Sequence, residues 1–109
     1  MQLFTINATP ERYDVTKAEN VKRHAGYART VYNALSSVGI DGFTIQEVQG
    51  YWQGVAEQSY IITVATDLSS DVVDKVAEIL RDMYNQDAVM VAYPDGSAKF
   101  IERPSDYDY

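Results

Sequence analysis

The stretch "GFTIQEVQGYWQGVAEQSYIITVATD", Gly42 to Asp67, decides the fold. Apolar and polar residues alternate through "GFTIQEVQGYW" and again through "EQSYIITVATD", both rich in β-branched and aromatic side chains. The short "QGVA" between them reads as the loop of an antiparallel hairpin. Gly50 inside the first strand marks a bulge or a close approach by another backbone. Trp52, the only tryptophan, alternates with Gly50 and Val48, while Tyr51 alternates with Gln49 and Glu47. The two aromatics must therefore point to opposite sides, one capping the core and the other leaving it. Trp52 as a lid on the end of the core is the plain structural expectation; stacking on a ligand or a neighbouring subunit is its rival.

On the amino-terminal side, "LFTIN" is a first strand ended by Pro10, and "TKAENVKRHAGYARTVYNALSSVG" reads as one long helix. Thr16 with Glu19 forms a capping-box pattern, and Gly39 stands where a left-handed cap belongs. Val21, Ala25, Ala28, Val31, Tyr32, Leu35 and Val38 recur at helical spacing, and Gly26 interrupts that stripe. After the hairpin, Val72, Val73, Val76, Ala77, Ile79, Leu80, Met83 and Tyr84 give a second amphipathic helix capped at Ser69. "AVMVAY" is the fourth strand, "PDGS" a turn, and "AKFIE" a short fifth strand.

The resulting order is βαββαβ with one appended strand. It predicts an α+β, ferredoxin-like two-layer sandwich: an antiparallel sheet with two helices on one face. Residues 1–103 form the single domain, and 104–109 an acidic mobile tail. Thr5, Thr44, Gln46, Ser59, Ile61 and Thr63 are expected on the open face, whose mixed character favours a homo-oligomer.

Composition narrows the function. The 109 residues contain no cysteine and one histidine, His24, which excludes disulfides, thiolate chemistry and clustered metal ligands; no metal or cofactor is expected. The terminus "MQLFTINATPERYDV" lacks the regions of a signal peptide, and no apolar run is long enough to cross a bilayer, so a cytoplasmic location is expected. The net charge of −7 divides into +2 for residues 1–30 and −9 for residues 31–109. An acidic surface disfavours direct nucleic-acid or membrane binding.

The basic exception lies on the first helix. At 100° per residue, Lys22 and Arg29 share a flank beside Tyr32, with Arg23 on another side and His24 within the stripe. Two cations near an aromatic ring can hold a phosphate and stack a base. A solvated flank with a half-buried histidine is the bland alternative. Tyr60 and Tyr84 belong to the core by phase, whereas Tyr27, Tyr51 and Tyr93 are harder to bury and suit a pocket or interface. Asp71, Asp74, Glu78 and Asp82 make a negative helix face, a solvated surface or a mimic of DNA phosphates. Glu47 and Glu57 are the strand-borne candidates for acid–base work, but no motif places them in a desolvated cleft, and no Walker or Rossmann glycine pattern is present.

The hairpin, through Gln49-Gly50, Trp52, Gly54, Glu57 and Ser59, resembles a family of small bacterial proteins classed as a domain of unknown function. The resemblance runs from Gly42 to Val91 and implies a two-layer fold without an assigned activity. The expectation is therefore a non-enzymatic oligomeric protein that sequesters a small anionic, nucleotide-like ligand, in the manner of a phage accessory or counter-defence protein. Its site would be Lys22, Arg23, His24, Arg29, Tyr27, Tyr32, Tyr51 and Trp52. The alternative is an acidic inhibitor of a basic protein partner.

Overall fold

A computed structural model describes residues 1–104. The elements are β1 (Gln2–Ala8), α1 (Lys17–His24), α2 (Tyr27–Ser37), β2 (Gly42–Trp52), β3 (Val55–Thr66), α3 (Ser70–Met83), β4 (Ala88–Ala92) and β5 (Ala98–Glu102). All five strands form one antiparallel sheet in the order β2-β3-β1-β4-β5. This is the ferredoxin-like arrangement with β5 added at the β4 edge. Residues 105–109, the greater part of the expected acidic tail, lie outside the described residues.

Strand alternation divides the sheet cleanly. Phe4, Ile6, Tyr60, Ile62, Val64, Val89 and Val91 face the helices and are buried. They meet Tyr27, Val31 and Leu35 of α2 and Val73, Val76, Ala77 and Leu80 of α3 in one core. Leu3, Thr5, Asn7, Ile61, Thr63 and Met90 have the opposite phase and lie on the open face.

The expected first helix is two helices. Ala25 is extended, and Gly26 takes φ 73° as the residue preceding α2. A side chain in this left-handed conformation costs about 1–2 kcal/mol, so glycine permits the break. Thr16 caps α1 as its sequence predicts, accepting a hydrogen bond from the Glu19 amide. However, α1 buries none of its residues, and Val21, assigned to the apolar stripe, is exposed. The stripe serves α2 alone. Tyr27 is consequently carried into the core, its ring 4.6 Å from that of Tyr60 and 4.8 Å from that of Tyr84, and burial pushes its hydroxyl pKa well up.

Candidate active site

The β2–β3 ladder outruns the sheet. β1 stops pairing with β3 at Ala8 opposite Tyr60, whereas β2 and β3 continue from Val48–Ser59 to Trp52–Val55. Gln53 and Gly54 close the hairpin with φ 51° and 80°, the two positive values of a tight turn matched to strand twist. The free end forms an arm whose inner side carries Val48, Gly50, Trp52, Glu57 and Ser59. Trp52 starts from one edge strand, yet its ring lies 6.3 Å from that of Phe100 on the other. The arm therefore curls across the open face.

Beneath it is a chamber of about 520 Å³, floored by Asn7, Ile61 and Met90 and walled by the arm, the 9–13 segment and Gln86–Ala88. This volume falls within the usual range for small-molecule sites. An adjoining hollow of about 1020 Å³ lies between the arm, the 11–17 loop and α1. Glu11, Arg12, Tyr13, Gln49, Trp52, Glu57 and Asp87 border both spaces.

Neither hairpin aromatic caps the core: Tyr51 is 67% exposed and Trp52 57%. The pairing is continuous through Gly50, without a bulge. Glycine instead leaves the Ser59 hydroxyl its place, because a Cβ at position 50 would sit 2.9 Å from that oxygen. That hydroxyl donates to Glu57 at 3.2 Å. Burial raises the Glu57 pKa, the Ser59 hydrogen bond partly offsets the rise, and the nearby Glu11 charge adds to it.

Hydrogen bonds fix the 9–16 loop against the arm and the α3–β4 connection. Thr9 donates to the Gln58 carbonyl at 2.7 Å, and the Gln86 side chain donates to the Glu11 carbonyl at 2.9 Å. Asn20 receives the Arg12 amide and returns a bond to the Arg12 carbonyl, both at 2.9 Å. The Arg12 guanidinium grips Asp14 through two bonds of 2.7 and 2.8 Å and donates a third to the Asn85 carbonyl. This pairing holds the Asp14 carboxyl below its ordinary pKa and raises that of Arg12.

The Glu11 carboxyl also meets Nε2 of the His24 ring, whose Nδ1 lies 3.1 Å from the Tyr60 hydroxyl.

The residues singled out in the sequence are thus dispersed. Tyr51 and Trp52 border the main chamber, and His24 borders the adjoining hollow. Arg23 clamps the backbone, donating to the carbonyls of Pro10 and Tyr84. Tyr27 is core. Tyr32 is half-exposed, edge-on to Phe43, with Arg29 5.7 Å from its ring centre, and Lys22 is exposed on α1. The break at Gly26 separates these groups, so Lys22, Arg29 and Tyr32 build no shared pocket with the hairpin. Glu11, Ser59 and Asp87 were not singled out for this site. Glu57 was weighed for catalysis and lacked a cleft; the curled arm provides one. Three of the four acids of α3 have local partners: Asp74 holds Tyr93 and Lys99, Glu78 pairs with Lys75, and Asp82 pairs with Arg81. Among the described residues, no group of three or more metal-ligating side chains forms, and no helix is long and apolar enough to cross a membrane.

The chain is thus an α+β sandwich with an acidic, aromatic-walled chamber of small-molecule size over its open sheet face. The family is more definite. A model of the S-adenosylmethionine lyase family matches residues 6–107, and the chain belongs to that family. A phage SAM lyase in complex with S-methyl-5′-thioadenosine superposes with a TM-score of 0.62 at 18% identity, covering 94% of this chain and 89% of the other. The apo state of a phage SAM lyase gives 0.63 at 20% identity with the same coverages. CPII, a nitrogen regulatory PII-like protein from Thiomonas intermedia K12 bound to ADP, AMP and bicarbonate, gives 0.53 at 14%, covering 94% and 93%. At these identities the likeness establishes the fold. No curated protein sequence matches the chain.

The family match overturns the expectation of a non-enzymatic sequestering protein and that of an acidic mimic, since the family is one of lyases. It also replaces the resemblance to a domain of unknown function: the hairpin was read within a small-domain family, but not under this family's name.

Proposed function

We propose that the chain cleaves S-adenosylmethionine in the chamber beneath Trp52, releasing S-methyl-5′-thioadenosine. The carrying observation is the composition of the walls: Glu11, Glu57 and Asp87 stand against a single cation, Arg12, which is already paired with Asp14. The substrate has two cationic centres, its sulfonium and its ammonium, and one carboxylate. Carboxylates and the Trp52 ring complement the cations, the ring through cation–π attraction as well as by stacking on adenine.

The reaction needs no external nucleophile. The substrate's own carboxylate oxygen attacks Cγ opposite the sulfur, forming the O–Cγ bond as the Cγ–S bond breaks. The bonding pair leaves with sulfur as a neutral thioether, the four-carbon remainder closes to a lactone, and no proton moves. Opposite charges vanish in this step, so a poorly solvating chamber lowers its barrier, and the burial that raises the Glu57 pKa supports such an environment here. The protein's remaining task is to fold the amino-acid arm into a near-attack geometry.

Purified protein incubated with S-adenosylmethionine should yield equal amounts of S-methyl-5′-thioadenosine, read by chromatography and mass spectrometry, and of a lactone, read by NMR. A four-carbon alkene with a released proton would refute the displacement; no thioadenosine would refute the lyase reading. Exposed Leu3 and Phe100 on the open face support a homo-oligomeric state, which light scattering reads directly.

A further inference from the structure

Three carboxamide side chains among the described residues line the main chamber, and two of them are engaged. Gln49 donates to the Tyr51 hydroxyl at 2.7 Å, and Gln86 donates to the carbonyls of Glu11 and Tyr84 at 2.9 and 3.2 Å. The third, Asn7 on the floor, makes no side-chain hydrogen bond among the described residues, and its polar atoms are not sealed off from the open space.

Its neighbours make that arrangement costly for the fold. β1 is the middle strand of the sheet, and Asn7 is paired with Ile61 on one side and Met90 on the other, with Phe100 opposite Met90 one strand further. One amide thus interrupts an apolar row. Asparagine is disfavoured in strands, and a valine would pack against both neighbours, so the sheet gains nothing from this side chain. Such breaches of local preference are expected at functional positions.

A neutral carboxamide is satisfied by a partner that offers a donor beside an acceptor. In S-adenosylmethionine the carboxylate only accepts, the ammonium only donates, and the sulfonium does neither. Adenine carries its N6 amine beside a ring-nitrogen acceptor, a pair that asparagine meets bidentately. At ordinary strand spacing Asn7 stands two strands, about 10 Å, from Phe100, against which the Trp52 ring lies. A purine packed on Trp52 fits that interval with one edge turned to the amide.

We propose that Asn7 is the residue that selects adenine, accepting from its N6 amine and donating to the adjacent ring nitrogen. This rests on the lyase reading, which puts adenine in the chamber without giving it a polar partner.

The test compares S-methyl-5′-thioadenosine with its 6-desamino analogue, in which hydrogen replaces the amine, on wild-type protein and on Asn7→Val. Wild-type protein should bind the amino ligand about tenfold more tightly by calorimetry, because the analogue leaves the Asn7 carbonyl oxygen unpaired. Asn7→Val should weaken the amino ligand about tenfold and bring the two ligands within about twofold of each other. Its kcat/KM for S-adenosylmethionine should fall by the same factor as the affinity. The variant should also melt above wild type, which a merely damaged site would not do. Equal weakening of both ligands would put the amide against the ribose and overturn the proposal. So would wild-type indifference to the amine, or a variant that melts lower, which would make Asn7 a residue of the fold. The lyase reading fails separately: wild-type protein that discriminates through Asn7 yet releases no S-methyl-5′-thioadenosine from S-adenosylmethionine upholds the adenine contact and sinks the cleavage.

Discussion

Gly50 and Ser59 offer a prediction whose size follows from one contact. An alanine Cβ at position 50 would sit 2.9 Å from the Ser59 hydroxyl oxygen but 3.5 Å from its Cβ, so only the hydroxyl has to move. Turning it away breaks the 3.2 Å bond to Glu57. A hydrogen bond to a charged group contributes about 1.5–3 kcal/mol when buried, and partial exposure brings this to about 1 kcal/mol. Against that loss, replacing glycine by alanine in a strand gains roughly 0.5 kcal/mol of backbone entropy. Gly50→Ala should therefore destabilise wild-type protein by about 0.5 kcal/mol and stabilise the Ser59→Ala variant by a similar amount, a coupling of about 1 kcal/mol. Urea unfolding of the four proteins measures it. In both single variants the acid limb of kcat/KM should move to higher pH, because Glu57 loses the hydrogen bond that favours its ionised form. Additive effects within about 0.3 kcal/mol, or an unmoved limb, would refute the link between the glycine and the carboxylate.

Three further outcomes are expected. Glu57→Gln should abolish cleavage while raising the melting temperature at neutral pH; the folded-state pKa of Glu57 lies above its unfolded value, so the folded chain binds more protons between the two values and loses stability as pH rises through that window. A variant that melts lower than wild type at neutral pH would contradict this. Lys22→Ala with Arg29→Ala should leave kcat/KM within about twofold of wild type, because neither residue borders either chamber. Gly26→Ala should cost about 1–2 kcal/mol through its positive φ alone, since nothing lies within 4 Å of the added carbon; Gly26→Asn should recover part of this in a thermal melt.

The sheet was legible because each strand carries its own period. β4 and β5 fall where "AVMVAY" and "AKFIE" place them, and the βαββαβ order follows from a hairpin between two amphipathic helices. The cap at Thr16 and the positive φ at Gly39 were equally local signals. The first helix misled because its apolar spacing continues across Gly26, and propensity counts that glycine as a cost, not a stop. Only the packing of Tyr27 between Tyr60 and Tyr84 shows why the chain breaks there. The Trp52 hairpin was placed correctly, but its curl was not readable. Alternation fixes which side a residue faces, whereas the bend that carries Trp52 to Phe100 spans the whole width of the sheet.

The absence of catalytic motifs led the sequence reading away from an enzyme, and the proposed reaction accounts for that error. Motifs record what a protein must supply: a nucleophile with its base, a metal with its ligands, a phosphate with its glycine loop. In that proposed reaction the substrate carries both nucleophile and leaving group, so the chain would have only shape, charge balance and exclusion of water to supply. The proposal gives those duties to Trp52 and Glu57 of the arm, Glu11 and Arg12 of the first loop, and Asp87 after α3, which no fixed spacing links. Glu57 shows the consequence most clearly. In the sequence it is one acid among sixteen; with Gly50 opposite and Ser59 beside it, it becomes a half-buried carboxyl group of raised pKa at a ligand-sized chamber. The role proposed for it depends on the hairpin's curvature, and replacing Glu57 should separate folding from cleavage more sharply than replacing any cation of α1.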